Sequence, residues 1–137
     1  MQTNKVRHAL EIFDIFHTLD RVKLLKELAK HHDKIINKKF YIQINIGKEE
    51  SKTGIYPEEL GEFLKLCKFY KIPKIEGLMC IPPIDEDPKK HFRLLKSLKE
   101  KFGLNELSMG MSSDYSEALE FNPTYIRLGT ILFGKRK

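Results

Sequence analysis

Short apolar runs and stretches of helical period take turns along this chain, and that alternation restricts the fold more than any other feature. "EIFDIFHTL" (11–19), "FYIQINI" (40–46), "KIEGLMCI" (74–81), "ELSMGMS" (106–112) and "TYIRLGTILFG" (124–134) have the length and content of buried strands. Helical patterns at 20–33, 56–70, 87–102 and 113–121 separate them. Leu24, Leu25 and Leu28 mark the apolar face of the first, and Pro57 sits in the first turn of the second. Phe92, Leu94, Leu95 and Leu98 are the expected buried face of the third, and Ser113 or Asp114 is placed to cap the fourth. Strands joined through helices imply βαβ units and a parallel sheet. The expected class is α/β, a single domain of five βα-type units over residues 1–137. A complete eight-stranded barrel takes no fewer than about 200 residues. A chain of 137 residues therefore suits a five-stranded open sheet or part of a barrel, and periodicity does not choose between them.

Composition narrows the setting. With 41% hydrophobic and 32% charged residues, the chain has the make-up of a soluble globular protein. No apolar stretch approaches a membrane span, and "MQTNKVRHAL" lacks the apolar core of a signal peptide, which predicts a cytoplasmic location. The net charge of +6 is spread over amphipathic patterns such as "RVKLLKELAKHHDKIINKK", the arrangement of solvated helix faces, and nucleic acid is not indicated. The terminal "GKRK" is either a contact for an anionic partner or a solubilising tail. Cys67 and Cys80 show no metal or disulfide spacing and are expected to be reduced core thiols.

In either architecture, ligands bind where strands end. Three strand ends carry polar chemistry: "INIGKEESKTG" (44–54) with Asn45 and Lys52, "SMGMSSD" (108–114) with Gly110, Ser112 and Ser113, and "RLGT" (127–130). Hydroxyls, a closely approachable glycine amide and a helix start are what a phosphate requires. Ser112 and Gly129 would end neighbouring strands and hold one phosphate between them, with Thr130 adding a hydroxyl and an amide. The alternative, that Gly110 and Gly129 only let bulky neighbours pack, stays open on spacing alone. His17 is expected to be a satisfied strand-end histidine, and His31 and His32 to close a helix.

"MQTNKVR", "FDIFHTLDR", "FYIQINIGKEESKTGI", "IEGLMCIPP", "LSMGMSSDYSEALEF" and "YIRLGTILFGKR" follow in the order and spacing of a known family. Over essentially its whole length the chain resembles the pyridoxal phosphate homeostasis family, whose members are similar to the N-terminal barrel domain of alanine racemase. The resemblance implies part of a TIM-type (β/α) barrel holding pyridoxal 5′-phosphate (PLP). It makes Ser112, Gly129 and Thr130 the phosphate ligands, Arg127 the residue facing the pyridine nitrogen, and Met111 a lining residue. A cation beside that nitrogen keeps it unprotonated and weakens the cofactor as an electron sink, which suits a non-catalytic carrier.

The resemblance also implies a departure. The family's covalent lysine lies on its first strand, upstream of the segment matching "MQTNKVR". The chain is thus expected to be the C-terminal part of a barrel: truncated, encoded by a split gene, or completed by another polypeptide. Lys52 is the one substitute to weigh, against the reading of a locally bonded loop lysine. "FNPT" replaces the family's glycine-containing turn. An open sheet would expose inward-facing apolar residues such as Ile42 or Ile44 and invite self-association or a complementing N-terminal polypeptide. Two other functions stay in view: a fragment of a racemase-type PLP enzyme, and a basic interaction module with a vestigial PLP site.

Overall fold

A computed structural model describes residues 1–135 of the chain. Arg136 and Lys137 of the basic tail lie outside the described residues. Five strands, β1 (Ile15–Leu19), β2 (Lys39–Ile44), β3 (Ile75–Cys80), β4 (Glu106–Met111) and β5 (Tyr125–Arg127), form one sheet in sequence order. Every neighbouring pair is parallel. The crossovers carry α2 (Val22–Ala29) with the short α3 (His32–Ile35), α4 (Leu60–Phe69), α5 (Pro88–Lys101) and α6 (Tyr115–Leu119). Before β1 stands α1 (Val6–Ile12), and after β5 the single turn α7 (Thr130–Phe133).

Strand periodicity sorts the side chains onto two faces. Phe40, Ile42, Ile44, Leu78, Cys80, Leu107 and Met109 are buried in one core with Leu24, Leu25 and Leu28 of α2, Leu60, Phe63 and Cys67 of α4, and Phe92, Leu95 and Leu98 of α5. Each such large aliphatic or aromatic side chain contributes about 1.5–3 kcal/mol on burial. Ile42 and Ile44 therefore do not line an exposed interior. A barrel is covered by helices on its outer face, so that face takes the aliphatic residues.

The intervening residues point the other way. There the His17 and Tyr41 rings stack at 4.5 Å between centroids. Tyr125 meets His17 edge-on at 5.1 Å and Tyr41 at 5.8 Å. His17 belongs to the first strand and Tyr125 to the last, so the sheet curls strongly enough to bring its two margins together. The architecture is a half-barrel, α/β as expected, with helices outside and a polar, aromatic concave face.

Several boundaries differ from the sequence reading. Residues 11–14 are not strand: α1 runs to Ile12, and β1 starts at Ile15. The 20–33 helix is two pieces, because the chain breaks after Ala29 and restarts at His32. Leu94 is 39% exposed, since Phe92, Leu95 and Leu98 already define the buried stripe. Pro57 opens a 3₁₀ turn that leads into α4, and Asp87 caps α5 by accepting from the Lys89 N–H at 3.0 Å. Both cysteines are free and buried, and burial pushes each thiol up to about 12.

Candidate ligand site at the strand ends

β4 ends in a tight turn. The Asp114 carboxylate turns back to accept the Met111 N–H at 2.7 Å, so Asp114 stands at the N-cap position of α6 without capping its amides. That turn projects Ser112 toward the end of β5. There the Ser112 Oγ accepts the Ile131 N–H at 3.2 Å. The two segments expected to share a phosphate are therefore in direct contact.

β5 stops at Arg127 and does not continue to 134. Gly129 (φ −92°, ψ −65°) turns the chain into a helical path, and its carbonyl accepts from the N–H groups of Leu132 and Phe133 at 3.1 and 2.9 Å. Among the described residues, the N–H groups of Gly129 and Thr130 have no acceptor. Both residues line a cavity of about 750 Å³, together with Met111, Ser112, Arg127 and Ile131. All five residues singled out in the sequence thus border one space. Arg127 is the one charged side chain among the described residues lining it.

Arg127 is held firmly. Nη1 donates to Ser108 Oγ at 2.8 Å, and Nη2 to the Cys80 carbonyl at 2.9 Å. Burial lowers the guanidinium below its ordinary value, opposed by the Cys80 and Asp114 side chains. His17 Nδ1 lies 2.8 Å from the same Ser108 oxygen. Burial first, and then the Arg127 charge, holds His17 below its ordinary value of 6.5. Beneath these, the Tyr41 hydroxyl donates to Glu106, and burial with that carboxylate raises the phenol.

The remaining sequence candidates have local duties. Lys52 Nζ pairs with Glu49 at 2.7 Å and lines two smaller cavities, not the one bordered by Ser112 and Gly129. Asn45 organises its own loop: Nδ2 donates to the Glu49 and Lys52 carbonyls at 2.8 and 3.2 Å, while Oδ1 accepts the Glu49 N–H. His31 lies 3.6 Å from Glu27. Asn122 of "FNPT" adopts φ +53°, the left-handed conformation a glycine takes easily and asparagine tolerates. Sequence reasoning missed the roles of Ser108, Tyr41 and Glu106. Their alternation along strands was visible, but periodicity does not say which face becomes the interior.

The family model described as alanine racemase, N-terminal domain, matches residues 1–137. A pyridoxal phosphate homeostasis protein of Synechocystis is 38% identical over 99% of this chain and 67% of its own length. The chain belongs to the alanine racemase N-terminal domain family, in its pyridoxal phosphate homeostasis branch. Another family member of that name, from Aquifex aeolicus, is 39% identical and matches 100% of this chain, which spans 64% of that relative. PipY of Synechococcus elongatus, solved without PLP, is 33% identical with a TM-score of 0.81, over 98% of this chain and 67% of PipY. The PipY structure with PLP bound is 32% identical with a TM-score of 0.79, over the same shares.

Proposed function

We propose that this chain binds PLP in the cavity between the ends of β4 and β5 and serves PLP homeostasis as a carrier, not a catalyst. One observation carries the reading: Ser112, with its hydroxyl, and Gly129 and Thr130, whose amides have no acceptor among the described residues, line one space in which Arg127 is the one charged side chain among the described residues. That donor set fits a phosphate dianion, which accepts hydrogen bonds and repels carboxylates. The Ser112 hydroxyl and the Gly129 and Thr130 amides would take the phosphate, and Met111 would pack beside the ring. Arg127, fixed on Ser108 and Cys80, would face the pyridine nitrogen. Bound PLP supplies an electron sink, which a cation at its nitrogen weakens. No lysine lines the cavity among the described residues, so the binding expected of this region is non-covalent. The homologous PipY with PLP bound supports the choice of ligand.

The same reading gives the sheet margins a partner. β1 and β5 are unpaired on their outer sides among the described residues. Ile131, Leu132 and Phe133 beside β5 are 53, 68 and 86% exposed. A complementing polypeptide or a second copy would cover them.

Titration with PLP, followed by absorbance and thermal shift, tests the site. Wild-type chain binds, Ser112→Ala weakens binding about tenfold, the scale of one charge-assisted hydrogen bond, and Gly129→Asp abolishes it. Equal affinity for PLP and unphosphorylated pyridoxal overturns the phosphate assignment. Alanine racemisation by the purified chain would overturn the carrier role.

A further inference from the structure

Resting on the PLP reading, we propose that Ser108 and His17 are positioning residues for Arg127: Ser108 fixes the guanidinium, and His17 fixes the direction of the Ser108 hydroxyl. Arginine can only donate, so the 2.8 Å contact from Arg127 Nη1 occupies a lone pair of Ser108 Oγ. The Ser108 proton must then point elsewhere. Ser108 is fully buried, and an unpartnered hydroxyl there is costly. His17 Nδ1, 2.8 Å away, is the acceptor the geometry offers. The chain of donation runs Arg127 to Ser108 to His17, which requires a neutral imidazole carrying its proton on Nε2.

Other contacts fix each member of the relay. The Tyr41 ring stacks on the imidazole with an interplanar angle of 4°, and Tyr125 abuts it edge-on. Tyr41 is held in turn by its hydroxyl bond to Glu106. The Cys80 carbonyl takes the second Arg127 nitrogen, so the guanidinium has two acceptors on two strands, β3 and β4. The titratable and charged groups facing His17 are Arg127 and Tyr125 from β5, Glu106 from β4 and Tyr41 from β2. Arg127 and burial oppose an imidazolium, whereas Glu106 favours one. Protonation of His17 would turn Nδ1 into a donor and displace the Ser108 proton, loosening the seat of Arg127. Neither Ser108 nor His17 lines the cavity, so both act through the arginine.

The test separates this relay from the PLP reading. In the ligand-free chain, ¹⁵N NMR of His17 at neutral pH is expected to show the Nε2–H tautomer, and Ser108→Ala to remove that preference. An Nδ1–H tautomer in the wild-type chain overturns the proposal whatever the ligand. The second readout compares PLP with an analogue whose ring nitrogen is replaced by carbon. Ser108→Ala and His17→Phe are expected to erase wild-type discrimination between the two, while affinity for inorganic phosphate stays within about twofold, because a loss near 0.4 kcal/mol is below one hydrogen bond. His17→Asn, whose amide oxygen replaces the Nδ1 acceptor, is expected to restore discrimination. Variants that lose phosphate and PLP binding in parallel would show a purely structural role and overturn the proposal. A wild-type chain that does not discriminate would overturn the placement of the ring nitrogen at Arg127, leaving the tautomer measurement to judge the relay.

Discussion

A methyl group added to Gly110 would lie 2.8 Å from the Ala118 Cβ and 3.3 Å from the Tyr115 Cα, on a backbone with φ +95°. At Gly129 it would meet nothing within 4 Å. The packing explanation therefore fits Gly110, whereas a side chain at Gly129 would enter open space. Gly110→Ala is expected to lower stability by about 2–4 kcal/mol, combining left-handed strain with overpacking, as read from denaturant midpoints. Gly129→Ala is expected to stay within about 0.5 kcal/mol of wild type in the same measurement. Lys71 follows α4 at φ +56°, where the Ile72 N–H reaches back to the Cys67 carbonyl at 2.9 Å. Lys71→Gly should relieve about 1 kcal/mol and raise Tm by roughly 2–4 °C. For His17 the sign follows from its lowered pKa: the unfolded chain binds the proton more tightly, so stability falls as pH drops below 6.5. Chemical denaturation at pH 7.5 and 5.5 should show that loss, and His17→Gln should shrink it. Ser112 and Gly129 stood out in the sequence as unusual residue types at strand ends, the role of Arg127 came with the family resemblance, and the structure brings all three to one cavity. The Ser108 relay was not, since residues 17, 108 and 127 meet only through the curl of the sheet.

Four strands and the main helices were legible from period alone, because each buries a stripe against one core. The failures come from short elements. α1 has only Val6 and Leu10 to bury, and its end runs into "FDIF", which mimics the start of a strand. α7 hides inside an apolar run: Ile131, Leu132 and Phe133 suit a strand by composition, but the turn at Gly129 precedes them. α5 was read by contrast from its apolar stripe, of which Phe92, Leu95 and Leu98 are buried, and the structure adds Asp87 and Pro88 at its start. Asp87→Ala removes the acceptor for the Lys89 N–H and should cost about 1 kcal/mol by equilibrium unfolding.

At the scale of the molecule, the half-barrel has a covered outer face and two unpaired margins among the described residues. The exposed Ile131, Leu132 and Phe133 give the β5 margin an apolar surface that the proposed association would cover. Sedimentation should show concentration-dependent association, and Leu132→Lys should reduce it. Whether sequence described a small open sheet or part of a barrel was undecidable from period, because curl is a property of the assembled sheet. The His17–Tyr125 contact supplies it. That contact also bears on where a guest can sit. His17 and Tyr41, stacked, and Tyr125, edge-on to both, pack together on the concave face, so side chains fill that part of the hollow. The room left for a guest is the rim lined by Met111, Ser112, Arg127 and Gly129, where a ligand would lie against strand ends and not thread between them.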